Sequence, residues 1–133
     1  MKPVFLTLDE VLALHADQIE RYGGSLGIRS LGLLESALAM PQATFDGKYL
    51  HASIPEMTAA YLFHVVQNHP FIDGNKRAGL IIAIAFLGLN DWALHADPDE
   101  LTELVLGVAS SGVSKPRIAV FLEKNARAAT AQS

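Results

Sequence analysis

Residues 78–89 read AGLIIAIAFLGL, twelve consecutive residues without a charge. A bilayer crossing needs roughly 20 such residues. The run is too short for that and reads as a helix buried on nearly all sides. A helix of this kind has to be enclosed by apolar faces from the rest of the chain. Half of the 133 residues are hydrophobic and 18% are charged. That suits a folded chain with one core, and a single domain over residues 1–133 is expected.

The enclosing elements also read as helices. Thr7-Leu8-Asp9-Glu10 has the T-x-x-E form of a capping box, and the helix it opens runs through Leu12, Leu14, His15 and Ile19 to Tyr22, where Gly23-Gly24 ends it. After the loop GGSLGIRS, Ser30 caps a second helix, LGLLESALAM, stopped by Pro41. Ser53-Ile54-Pro55-Glu56 opens EMTAAYLFHVVQN, which Pro70 breaks. The apolar helix starts near Gly74 or Asn75 and closes at Asn90-Asp91. Asp97-Pro98-Asp99-Glu100 opens LTELVLGVA, and Ser114-Lys115-Pro116 opens RIAVFLEKNARAA, with a frayed tail, TAQS. Residues 42–52 differ: Asp46-Gly47 between Phe45 and Tyr49 marks a small hairpin or irregular flap. Nothing else suggests a strand pair. The fold class is therefore all-α: a compact bundle of about six helices with one short flap or hairpin.

Composition narrows the function. A net charge of −4 argues against binding nucleic acid directly by phosphate neutralisation. The absence of cysteine excludes disulfides, thiolate metal sites and a cysteine nucleophile, and fits a cytoplasmic setting. The N-terminus is too short in apolar residues and too acidic for a secretory signal, so no membrane association is expected. His15, His51 and His95 are scattered without a zinc spacing, and His64 reads as a core or edge histidine. Trp92 reads as a lid on the core.

Between the two central helices stands HPFIDGNKR, residues 69–77. A helix N-terminus there carries unpaired N–H groups and a partial positive charge, a ready anion site. Gly74 lets the backbone curl, Arg77 suits phosphate oxygens, and Lys76 adds a second cation. Asp73 is a hard oxygen ligand placed to share Mg²⁺ with phosphates. His69 can take a proton near neutral pH. Each side chain has a duller reading: Asp73 as a cap, Asn75 bonded to the turn, Lys76 and Arg77 as a solvated face, His69 as a satisfied core histidine. Five polar groups against a buried helix outweigh these taken together. The set reads as phosphate nest, metal ligand and base, which is what transfer of a phosphate-containing group needs.

HPFxDGNKR, eight fixed positions in nine, resembles the signature of the Fic/Doc superfamily. The resemblance extends over residues 8–110, including IERYGGSLGIRS and LGLLESALA. Fic adenylyltransferases carry HPFxxGNGRxxR. This chain has Lys76 in place of the second glycine and Leu80 in place of the second arginine, which resembles the Doc, or death-on-curing, toxin branch. The resemblance implies that His69 is the general base and Asp73 the Mg²⁺ ligand. Gly74, Asn75 and Lys76 would form the anion hole, Arg77 would hold phosphate, and Phe71 would be the buried anchor. It implies ATP bound with its γ-phosphate in the nest, since Lys76 fills the space a glycine leaves open. The activity implied is a protein kinase acting on a hydroxyl of a translation elongation factor.

Residues 42–52 would be the flap that aligns the target, with an ordinary surface loop as the plainer reading, and Tyr22-Gly23-Gly24 would line the site from the side, with a turn of packing glycines as the plainer reading. No S/T-x-x-x-E-G/N inhibitory helix occurs in the chain, so inhibition in trans by an antitoxin is expected. Leu12 and Leu14 are a candidate seat for its helix, with core packing as the plainer reading. The alternatives are a Fic-like transfer of AMP to a protein hydroxyl and a non-catalytic binding module of the same fold. His69, Asp73, Asn75 and Arg77 weigh against the second, and Lys76 with Leu80 against the first.

Overall fold

Side-chain caps set the helix starts in the computed structural model, which describes residues 2–129. Thr7 Oγ1 accepts the Glu10 N–H (3.1 Å) and the Glu10 carboxylate accepts the Thr7 N–H (2.8 Å), a complete capping box that opens α1, Leu8–Tyr22. Ser30 caps α2 (Leu31–Ala39), Ser53 caps α3 (Ile54–Asn68), Asp97 caps α5 (Pro98–Ala109) and Ser114 caps α6 (Lys115–Asn125). The apolar run lies in α4, Asn75–Leu89. The six expected helices are all present, and Pro41 sits in a short 3₁₀ turn after α2. The flap is a hairpin, β1 (Thr44–Phe45) paired antiparallel with β2 (Lys48–Tyr49) around Asp46-Gly47.

α3 is the central element, with ten of its fifteen residues buried. It packs on α4, α2 and α6, and α1 lies on α4. Two apolar clusters result. One joins Val11, Leu34, Met57, Tyr61, Ile82 and Phe86. The other joins Leu62, Val66, Val108, Ile118 and Leu122 under α5 and α6. Tyr61 is fully buried, and its hydroxyl accepts the Leu6 N–H at 3.1 Å, which ties the N-terminal segment to α3. Trp92 packs on the first cluster, as a lid would.

Two expectations need correction. A second strand pair exists: β3 (Trp92–Leu94) runs antiparallel to β4 (Ala126–Ala128), residues expected to extend the last helix. α6 stops at Asn125, and Ala126 turns extended (φ −121°, ψ 148°) and buries itself in the first cluster. Pairing with β3 and burial override the helix preference of an alanine-rich stretch. The frayed tail, 130–133, lies outside the described residues. The second correction concerns α4. Ile84, Gly88 and Leu89 are exposed. Ala85, Gly88 and Leu89 face Leu6, Ala13 and Leu14 across an open groove of about 450 Å³, edged by Glu10 and Asp17. Leu12 packs on the core, and Leu14 divides itself between core and groove.

Candidate active site

The turn between α3 and α4 is locked through its backbone. His69 closes α3 in the left-handed region (φ 54°, ψ 51°), a conformation that costs a non-glycine residue about 1 kcal/mol or more. Neighbouring bonds hold it there. Arg29 donates from Nε to the His69 carbonyl (2.6 Å) and from Nη2 to the Asn68 carbonyl (2.9 Å). The N–H groups of Arg29 and Ser30 both reach the Pro70 carbonyl (2.7 and 3.0 Å), and the Ile72 N–H reaches the Gly27 carbonyl (3.1 Å). The His69 imidazole makes none of these bonds and is exposed.

Two side chains of the turn point inward. Phe71 is fully buried and stacks face to face on His15, ring centres 3.7 Å apart and planes within 5°. His15 Nε2 lies 2.8 Å from the Asp73 carbonyl oxygen. That oxygen can only accept, so Nε2 carries the proton. Asn75, 4% exposed, spends both amide atoms on Phe71: Oδ1 accepts its N–H (2.9 Å) and Nδ2 donates to its carbonyl (3.0 Å). Asn75 can therefore meet a ligand through its backbone N–H, not through its side chain.

The other helices described above carry a side-chain cap, but α4 does not: Gly74 (φ 76°) stands at its N-cap. Among the described residues no protein acceptor serves the N–H groups of Asn75, Lys76 and Arg77. They point out of the positive end of the helix dipole. The backbone curls there because Gly74 lacks a side chain. A Cβ would stand 3.1 Å from Ile19 Cδ1 and 3.4 Å from Arg77 Nη2. Across the turn, a Cβ on Gly24 (φ 118°) would stand 2.7 Å from Asp73 Oδ2. Gly24 is thus a close approach to the carboxylate, and the Gly23 carbonyl accepts Arg77 Nη2 at 2.9 Å. The two glycines line the site as well as making the turn.

Asp73 accepts the Ser25 N–H at Oδ2 (3.1 Å) and the Gly74 N–H at Oδ1 (2.8 Å). These bonds, with Arg77 and His15 nearby, hold its carboxyl below the usual range, so it is ionised at neutral pH. No group of three or more metal-ligating side chains occurs among the described residues. A lone exposed carboxylate beside three free N–H groups fits Mg²⁺ shared with an anionic ligand and water, and does not fit a protein cage.

The predicted residues thus divide. His69, Asp73 and Lys76 are exposed at the turn, Arg77 is half-buried beside them, Gly74 and Asn75 contribute backbone, and Phe71 anchors the loop. Sequence reasoning missed His15 and Arg29. His15 left a signal, since Val11, His15 and Ile19 form the buried stripe of α1 at four-residue spacing. Arg29 left none.

A family model described as Fic/DOC family matches residues 5–87. The chain belongs to that family. It is 37% identical over 110 residues to a protein named Toxin Doc from Mycolicibacterium smegmatis, covering 81% of this chain and 85% of the relative. It is 33% identical over 116 residues to Protein kinase doc of Escherichia phage P1, covering 87% and 90%. Within the family the chain lies in the Doc branch, that of toxin–antitoxin toxins.

Proposed function

We propose that this protein is an ATP-dependent protein kinase and the toxin of a toxin–antitoxin pair. It moves the γ-phosphate of ATP to a hydroxyl of a translation elongation factor in the cytoplasm, and an antitoxin restrains it in trans. The observation that carries the chemistry is the uncapped start of α4: three free N–H groups beside Arg77, Lys76, an ionised Asp73 and an exposed His69. The kinase assignment and the target draw on kinship with the phage protein named a kinase and on Lys76 at the mouth of the nest.

The N–H groups of Asn75, Lys76 and Arg77 receive the phosphoryl oxygens, and the two cations balance the charge that builds as the phosphoryl group moves. Asp73 would hold Mg²⁺, which supplies further charge neutralisation when bound. His69 takes the proton of the attacking hydroxyl as its oxygen bonds to phosphorus. The bond from phosphorus to the bridging oxygen breaks, and ADP leaves with that electron pair. His15 and Arg29 act through backbone: one fixes the Asp73 carbonyl, the other the His69 carbonyl.

The test is label transfer. Purified protein, Mg²⁺ and bacterial lysate are given ATP labelled at either the α- or the γ-phosphate. A protein band labelled only from γ-ATP, running with the elongation factor, is the expected result. Label only from α-ATP would replace kinase by adenylyltransferase.

A further inference from the structure

Lys115 is the first residue of α6, directly after the cap Ser114. A cation in the first turn of a helix meets the positive end of its dipole and is disfavoured there. Its surroundings do little to offset this. Nζ lies 3.0 Å from His64 Nε2 on α3. Among the described residues no carboxylate stands within ion-pair distance of Lys115. Glu56 and Glu123 line the same cavity, of about 270 Å³, without pairing with it. His51, Pro116 and Ala119 form the other walls. Lys115 is half-buried, and burial pushes its pKa down. A half-buried amine without a counter-ion, beside an acceptor nitrogen and facing an open cavity, is the arrangement that makes a lysine nucleophilic. The phosphate transfer proposed above makes no use of it.

We propose that Lys115 is an acylation site, whose amine takes a short acyl group from a thioester with His64 as the base. The Nζ lone pair attacks the thioester carbonyl carbon. The carbon–nitrogen bond forms, the carbon–sulfur bond breaks, and sulfur leaves with that electron pair. The proton that nitrogen sheds passes to His64 Nε2 and from there to the departing thiolate, so amine and thioester become amide and thiol. The site favours this chemistry over other reactions of an amine because the amide is neutral. An iminium would keep a positive charge where no carboxylate pairs with it. The donor class follows from the walls. Glu56 and Glu123 repel an anionic acyl phosphate, whereas the reacting end of a thioester is uncharged. The cavity is smaller than the ~300 Å³ at which pockets begin to take drug-sized molecules, so the acyl group is short.

The experiment treats the purified full chain at pH 7.5 with S-acetyl-N-acetylcysteamine or with acetyl phosphate, and follows acetylation of each lysine by peptide mass mapping. Lys2, Lys48 and Lys124 are exposed and serve as standards within the same molecule. With the thioester, Lys115 should react about tenfold faster than the standards, less than the 10²–10⁴ of a positioned base in a full active site. Its rate should also level off at a lower pH than theirs. With acetyl phosphate the advantage of Lys115 should disappear. Glu123→Gln, at an exposed position, should restore part of it and leave the thioester rate unchanged. His64→Gln keeps an acceptor but no base, and should bring Lys115 down towards the standards in a protein whose thermal melt shows it folded. Acetylation of Lys115 no faster than the standards at any pH would overturn the proposal. Faster reaction with acetyl phosphate than with the thioester would overturn the donor class, and an undiminished rate in His64→Gln would overturn the base.

Discussion

His64 and His69 stand five residues apart in the chain and end in opposite surroundings. His64 is inside α3, and its Nε2 accepts from Lys115 Nζ at 3.0 Å. Lys115 also lies 6.0 Å from the Phe63 ring centre. With His51, Glu56, Pro116, Ala119 and Glu123 it lines a cavity of about 270 Å³. Burial, then Lys115, then His51 push His64 down to about 4, and burial pushes Lys115 down as well. His69 has the reverse arrangement. Its backbone is bonded on both sides, and its ring is exposed. At the α3–α6 contact the His64 and Lys115 side chains bond to one another. At the turn, backbone and buried groups such as Asn75 and His15 carry the structural load, which leaves His69, Asp73 and Lys76 open to a ligand. Residue type does not separate a paired, half-buried histidine from one whose ring is left open; which part of it is tied down does.

Exchanging alanine at the two histidines is the strongest way to break this comparison. His69→Ala should lower the rate of phosphate transfer by about 10²–10⁴, the usual worth of a positioned base, with a stability change of at most about 0.5 kcal/mol, as for a surface substitution. His64→Ala should leave the rate unchanged and lower the melting temperature. Initial rates and thermal melts on both proteins decide it. An active His69→Ala would mean that exposure and proximity are not enough to identify the base.

Asp73→Asn should come next. It removes the charge while keeping an oxygen for one of the two N–H bonds. The rate should fall about a hundredfold at fixed Mg²⁺, in line with losses at metal-ligand shells, and recover in part as Mg²⁺ is raised. A Mg²⁺ titration of initial rates is the check. A loss that no Mg²⁺ concentration changes would give Asp73 a structural role, as a brace for Ser25 and Gly74.

Asn75→Ala separates the inward half of the turn from the outward half. It leaves the buried N–H and carbonyl of Phe71 without partners, a cost of about 2 kcal/mol or more. Urea titration should show a lowered midpoint with an unchanged slope. An unchanged midpoint would mean the Asn75 amide is not what holds Phe71.

Much of this is legible in the amino-acid sequence. Each cap named from the sequence, Thr7, Ser30, Ser53, Asp97 and Ser114, opens its helix, because capping is a local bond between residues two or three apart. The start of α4 at Gly74 was legible for the same reason, since Gly74 and the following residues meet within one turn. Long-range matters were not. The β3–β4 pairing joins residues more than thirty apart, and an alanine-rich stretch carries no sign of it. Arg29 reaches Asn68 and His69 across about forty residues. The open face of α4 follows from how far α1 covers it, which a run of apolar letters does not encode.

The smallest effect tests the structural histidine. His64 titrates near 6.5 in the unfolded chain and at about 4 in the folded one, so acid favours the unfolded chain. The contribution is whole above pH 6.5, falls as pH drops from there towards 4, and is gone below. His64 is about half-buried, so solvent screening reduces the effect to about 1 kcal/mol. His51, lowered by burial and then by Lys115 and opposed by Glu56, acts in the same direction. Urea titrations at pH 7.5, 6 and 5 should show wild-type stability falling, with a shallower fall in His64→Leu. Lys115→Met should leave the onset near pH 6.5 but make the fall smaller and end it at a higher pH, by removing the second cause of the shift. The carboxylates titrate mostly below this range, so the difference between wild type and His64→Leu isolates the histidine. Equal slopes in the two proteins would mean that His64 is as well solvated as His69, and the contrast between the two regions would then rest on hydrogen bonding alone.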